Sequence, residues 1–133
     1  MEGQSFAPVI RGEAAPAEDR AVLIQCVTPF GEWTRERGGQ EYRGIRTVRY
    51  TYARNLEGPW LLYDNEKDPY QMDNLIGRPE HAAMQGQLEA ELQRLLNERR
   101  DAFLPGSAYI ERWGYVVDPK TGTVPYSVKY PSK

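Results

Sequence analysis

The spacing of apolar residues changes character once along this chain, near Pro79. Before that point they come as short runs and alternations, the mark of strands; after it they recur at helical spacing. Ala21 to Val27, AVLIQCV, is a continuous apolar run containing Val and Ile and predicts a buried strand, which Pro29 ends. Residues 30–40, FGEWTRERGGQ, predict a loop with Gly38-Gly39 as its most flexible point. Glu41 to Asn55, EYRGIRTVRYTYARN, alternates. Tyr42, Val48, Tyr50 and Tyr52 share one parity, and Arg43, Ile45, Thr47, Arg49 and Thr51 share the other. This pattern suits one long strand, or two short ones around a tight turn near Thr47 to Arg49. Asn55 to Pro59 is a hairpin-type connection, and Trp60 to Tyr63 is the next strand.

From Pro79 onward Met84, Leu88, Leu92, Leu95, Leu96 and Phe103 fall on one helical face. Pro79 suits a first helical turn, and Glu80 near the start and Arg99-Arg100 near the end complement the helix dipole. Pro105-Gly106 stops the helix, so the prediction is Pro79 to Phe103. The tail carries Tyr109, Trp113, Tyr115, Tyr126 and Tyr130, and its segment YVVDPKTGTVPYSV predicts a short hairpin around DPKTG. The expected fold is α+β: an antiparallel sheet of about four strands with one long amphipathic helix on one face, plus that tail. The expected division is an extended lead-in over residues 1–20, an α+β domain over 21–106, and an aromatic-rich tail over 107–133 that packs on it.

Composition narrows the function classes. A chain of 133 residues fits one domain with one modest core. Its formal charge of −2 argues against a general nucleic-acid binder. Cys26 is the single cysteine and His81 the single histidine, so neither an internal disulfide nor a Cys/His zinc site is available. The N-terminus lacks the apolar core of a signal peptide, and no apolar run approaches a membrane span. On this reading the chain as given is expected to stay in the cytoplasm, with no membrane partner.

Candidate chemistry centres on three groups. Asp64, Glu66, Asp68 and Asp73 superficially resemble a calcium loop. That loop needs Gly where Pro69 stands and a bidentate Glu where Leu75 stands. A solvated turn with Asx caps is therefore expected in its place. Cys26 and His81 form a nucleophile–base pair on paper, but Cys26 sits in an apolar strand, where a core thiol is expected. Arg43, Arg46, Arg49 and Arg54 lie in one short run and are candidates for binding a sulfate, phosphate or carboxylate. The competing reading is a solvated sheet face paired with the many acids.

YRGIRT (Tyr42 to Thr47), YTY (Tyr50 to Tyr52), LYD (Leu62 to Asp64), Asp68-Pro69 and Asn74-Leu75, followed by the amphipathic helix, resemble the C-terminal region of bacterial sulfatases. These enzymes belong to the alkaline-phosphatase-like superfamily. SFAPVIRGE (Ser5 to Glu13) is similar to the segment that joins the large sulfatase domain to this region, and the stretch from Phe103 to Tyr126 is similar to the ending of one subgroup. The resemblance implies a small antiparallel sheet with one long helix, and makes the acidic stretch a structural turn. The family nucleophile lies in C/S-x-P-x-R, whereas Cys26 is followed by Val27, Thr28, Pro29 and Phe30. The family calcium ligands belong to a large α/β domain with no counterpart here. The resemblance therefore implies no catalytic residue, metal ligand or cofactor in this chain. What it implies is an accessory, structural or interaction role, with a catalytic domain supplied in trans or a homodimer as partner. The alternative is a free-standing module that binds an anionic ligand through the arginine-bearing strands.

Overall fold

The computed structural model describes residues 5–15 and 20–125. At its centre is a four-stranded antiparallel meander in the order β1-β2-β3-β4. The strands are β1 (Val22–Cys26), β2 (Tyr42–Arg46), β3 (Tyr50–Asn55) and β4 (Pro59–Asp64). The Glu41 to Asn55 stretch is thus two strands. Thr47 clamps the reversal: its hydroxyl oxygen accepts from the Tyr50 N–H at 2.8 Å, and its own N–H donates to the Tyr50 carbonyl at 2.8 Å. The reversal corrects the parity expected from an unbroken alternation. Arg43 lies opposite Arg54 and Arg46 opposite Thr51, so Thr51 and Arg43 are on different faces. The next reversal uses Asn55, whose side-chain oxygen accepts from the N–H groups of Glu57 (2.9 Å) and Gly58 (3.0 Å). Gly58 has φ +143°, open in practice only to glycine.

Leu23, Ile45, Tyr52 and Leu62 line up across the four strands and form the inner row. They pack on Leu88, Leu92, Leu95 and Leu96 of α2 (Ala82–Glu98), which a 3-10 turn at Pro79–His81 leads into. Ile45, Tyr52, Leu62 and Leu92 are wholly buried, each contributing about 1.5–3 kcal/mol. The outer row is Ile24, Gly44, Ala53 and Leu61. At Gly44 a Cβ would stand 2.4 Å from the Tyr52 carbonyl oxygen, so the β2–β3 approach depends on glycine there.

α2 ends at Glu98, not at Phe103. The Arg100 N–H donates to the Asn97 carbonyl (3.1 Å) and the Asp101 N–H to the Leu96 carbonyl (2.9 Å). This is a Schellman closure, with Arg100 at φ +55° in the place glycine usually takes. Phe103, expected on the helical face, is also left-handed at φ +46° and lies beyond the turn. The chain then forms α3 (Gly106–Trp113), where the sequence predicts only a tail; Gly114 at φ +65° closes it. Gly106 is buried against Thr28 and Val27, where a Cβ would come within 2.7 Å of both. The lead-in also departs from expectation, since Ala7–Ile10 make a one-turn helix, α1. The expected DPKTG turn is present: the Asp118 carboxylate accepts from the N–H groups of Lys120 (2.7 Å) and Thr121 (3.0 Å). No ladder flanks it among the described residues, and the second arm from residue 126 onward lies outside them.

Candidate functional site

The four strand arginines do not converge on one point. Arg43 and Arg54 are cross-strand neighbours on the inner face, Arg46 is on the outer face, and Arg49 is in the β2–β3 turn. Arg43 is only 1% exposed. Its Nε donates to Asp101 Oδ2 at 2.5 Å, and its Nη1 donates to the carbonyls of Cys26 (3.2 Å) and Tyr42 (3.1 Å). The Phe103 ring covers the guanidinium, 4.8 Å from its centroid. Burial pushes the Asp101 carboxyl up, but Arg43, the Phe103 N–H and the Tyr109 hydroxyl outweigh it and hold it below its ordinary value. Arg49 donates twice to Asp64, at 2.7 Å from Nη2 and 3.1 Å from Nε. Arg46 donates to the Thr51 hydroxyl at 3.0 Å. Arg54 pairs with Glu89, which also accepts from the buried Tyr52 hydroxyl at 2.6 Å. Of these groups, Arg54 Nε is a buried donor without a partner, and Arg54 lines a cleft of ≈ 290 Å³ with Gln93, Asn97 and Asp101.

The acidic stretch is a turn whose side chains serve the backbone. Asp64 Oδ1 accepts from the N–H groups of Glu66 (3.3 Å) and Lys67 (3.4 Å), and Arg49 holds its carboxyl below the ordinary range. Asp68 accepts from the Asp73 N–H at 2.7 Å, and Asp73 pairs with Arg78. Asn74 explains why N-L follows L-Y-D. Its side chain accepts from the Leu62 N–H (3.0 Å) and donates to the Trp60 carbonyl (3.0 Å), while the Leu75 N–H donates to the Leu62 carbonyl (2.9 Å). The free edge of β4 is thereby satisfied without a fifth strand. No group of three or more His, Cys, Asp or Glu side chains suited to a metal ion occurs among the described residues.

Cys26 is buried and unpaired, and burial with the nearby Glu41 charge pushes its thiol pKa up, away from thiolate character. His81 lines a separate cleft with Asp64, Asp73 and Arg78. Trp33, Tyr42 and Trp60 form a chain of ring contacts at 6.1 and 6.0 Å. Two charged anchors escaped the sequence reading. Glu41, 2% exposed, accepts from the Gly106 N–H at 2.9 Å and pairs with Arg35, tying β2 to α3. Asp101 does the same through Arg43 and the Tyr109 hydroxyl, which donates to it at 2.9 Å. The arginines missed as site candidates are Arg99, Arg100 and Arg112, which line a cleft of ≈ 360 Å³ with Trp113. Their signal was Arg99-Arg100 at a helix end, read only as dipole complement. No helix among the described residues is long and apolar enough to cross a membrane.

Residues 1–98 match the family described as N-sulphoglucosamine sulphohydrolase, C-terminal. The chain is 38% identical to an ulvan-active sulfatase of Formosa agariphila, over 95% of this chain and 24% of that protein. It is 30% identical to an endo-4-O-sulfatase of Bacteroides thetaiotaomicron, over 86% of this chain and 24% of the relative. Among solved structures, a 2-O GAG sulfatase superposes with a TM-score of 0.64 at 26% identity, covering 77% of this chain and 21% of that one. The chain therefore spans about a quarter of the length of the curated relatives it matches.

Proposed function

We propose a role that follows from one premise: this chain belongs to the N-sulphoglucosamine sulphohydrolase C-terminal family of sulfatases. It acts as an accessory domain of a sulfatase, a rigid part that docks on a catalytic domain and supplies no reacting group. The observation that carries this reading is coverage: nearly all of the chain aligns with only 24% of a sulfatase. The chemistry agrees. Cys26 is buried with a raised pKa and is followed by Val27-Thr28-Pro29 in place of the x-P-x-R of the sulfatase nucleophile. The strand arginines that resemble an anion site hold the fold together through Asp101, Asp64 and Glu89. The docking surface in this reading is the outer side of the sheet and its rim, where Val22, Phe30 and Trp33 are exposed. A homodimer through the same surface is the competing assembly.

A second reading, an anion held by the arginine-bearing strands, is favoured at Arg54 alone, whose buried Nε lacks a partner beside a cleft. Two measurements test the main reading. Purified chain supplied with calcium should give no turnover of 4-nitrophenyl sulfate; turnover abolished by substituting a residue of this chain would overturn it. Light scattering at micromolar concentration separates monomer from dimer, and a dimer broken by Trp33→Glu would favour self-association over docking on a catalytic domain.

A further inference from the structure

The two edges of the sheet are treated differently. The free edge of β4 is closed by Asn74 and Leu75, which take up its backbone groups. β1 is the opposite edge strand and pairs only with β2. Among the described residues, the backbone of Val22 to Gln25 makes no hydrogen bond beyond that ladder. Nothing in the strand blunts its edge: VLIQC holds no proline and no charge, and its register with β2 is unbroken. An edge left open in this way is a template for another strand.

A trough runs beside this edge, made of two adjoining cavities of ≈ 520 Å³ and ≈ 360 Å³ that share Gln25, Arg99 and Asp101. Ala21, Val22, Leu23, Gln25 and Val27 succeed one another along it, so it follows the length of β1. Its charge is opposite to that of the chain, whose net charge is −2. Arg20, Arg43, Arg99, Arg100 and Arg112 line it, and Asp101 is the sole acid that does so among the described residues. Asp101 is already engaged by Arg43 and Tyr109. None of Arg20, Arg99, Arg100 and Arg112 has a carboxylate partner among the described residues. Arg100 holds the left-handed position of the helix closure at φ +55°, where glycine is favoured, and a residue kept there points to a use for its side chain. Trp113 stacks on Tyr109 at 5.5 Å and remains 55% exposed at the mouth of the smaller cavity. Arg99, Arg100, Arg112 and Trp113 all lie past residue 98, where the family match ends.

We infer that an extended acidic segment of a partner polypeptide adds to β1 as a fifth strand, its carboxylates meeting Arg99, Arg100 and Arg112 and an apolar side chain meeting Trp113. Backbone hydrogen bonds to the open edge supply affinity, and side chains alternate along a strand, so acids at every second position face the arginines together. Carboxylates match guanidinium forks at two points each. A second copy of this chain fits less well, because pairing β1 with β1 sets one group of arginines against another. The trough opens on the helix side of the sheet, so this site and the outer-face docking proposed above can fail separately. The test is titration of the isotope-labelled 133-residue chain with three peptides, each about ten residues long. The first alternates glutamate with valine, the second replaces glutamate by lysine, and the third is the glutamate peptide N-methylated at alternate residues. The glutamate peptide binds, its binding weakens with salt, and amide hydrogen exchange slows in Val22–Cys26. Arg99→Ala and Arg112→Ala each weaken it roughly fivefold, whereas Arg78→Ala, in a separate cleft, leaves it unchanged. Arg100→Gly separates binding from folding, because it relieves backbone strain: thermal stability holds or rises while affinity falls. The N-methylated peptide keeps every charge and loses the edge donors, so it binds at least tenfold more weakly. No binding at about 1 mM peptide, equal binding of the lysine or N-methylated peptide, or equal loss with Arg78→Ala would each overturn the inference. So would protection of the β1 amides that depends on protein concentration alone, which would assign the edge to a second copy.

Discussion

The strand arginines and the arginines past α2 carry the same guanidinium, and the fold uses them in opposite ways. Arg43, Arg49 and Arg54 each end on a carboxylate brought from a distant part of the chain: Asp101, Asp64 and Glu89. Arg99, Arg100 and Arg112 end on no carboxylate among the described residues and line an open trough. Local density does not separate them, since both groups sit in arginine-rich sequence. What separates them is the carboxylate that folding brings to each strut, since Arg49 is 43% exposed and still paired; burial makes that pairing obligatory at Arg43. A charge 1% exposed, such as Arg43, is tolerated only with its counter-charge and hydrogen bonds in place. A charge in solvent needs no partner and stays available for a ligand.

The comparison breaks most visibly at Arg43. Arg43→Ala leaves Asp101 with a lost partner and two carbonyls without their donor, and is expected to cost about 3–5 kcal/mol in urea unfolding. The double variant Arg43→Met/Asp101→Leu removes both charges and should recover most of that loss. A single variant no worse than a surface change would mean that the pair does not support the fold. Next comes Glu89→Ala, which frees the Tyr52 hydroxyl and Arg54 together; about 1–2 kcal/mol is expected, because both charged partners are about 30% exposed.

Acid should act on the same anchors. Asp101 and Glu41 have folded-state pKa values below their ordinary 3.8 and 4.5. In both, burial opposes the shift; hydrogen bonds from Arg43, the Phe103 N–H and the Tyr109 hydroxyl outweigh it at Asp101, and those from the Gly106 N–H and Arg35 outweigh it at Glu41. The native state therefore binds fewer protons than the unfolded chain. Its extra stability is present above the ordinary values and is lost as pH falls through the depressed ones. Thermal melts between pH 6 and pH 2.5 should decline below about pH 4.5. The decline should be shallower in the double variant, which lacks Asp101. An unchanged slope would assign acid sensitivity to other carboxylates. The smallest effects belong to the second group: Arg112→Ala should change stability by less than about 0.5 kcal/mol. Arg100→Gly should raise it by about 1 kcal/mol through the relieved left-handed residue.

Most strands are legible in the sequence, because apolar runs bounded by turn formers are a local signal. Val22–Cys26, Tyr50–Asn55 and Pro59–Asp64 fall where AVLIQCV, YTYARN and WLLY predict them. The helix start at Pro79 was legible for the same reason, and its end was not. Leucine spacing carries on to Phe103, but the chain closes at Glu98 because Asp101 is drawn to Arg43, 58 positions earlier. α3 was hidden likewise: its anchors are Glu41 on its first N–H and the tight seat of Gly106 against Thr28. The strand arginines were visible by residue type, but their partners were not, because pairing across the fold is not a local signal.

The sequence by itself determined the sheet-and-helix class, the turn chemistry of Asp64, and membership among the C-terminal domains of sulfatases. Each of these depends on neighbours within a few positions, or on a motif carried intact. The tertiary structure alone decided which arginines are internal struts and which stand free beside Trp113. That outcome turns on contacts such as Arg43 to Asp101 and Arg54 to Glu89, which span 58 and 35 positions. A guanidinium's role is set by the charge that folding brings within about 3 Å of it, and no local pattern specifies that charge.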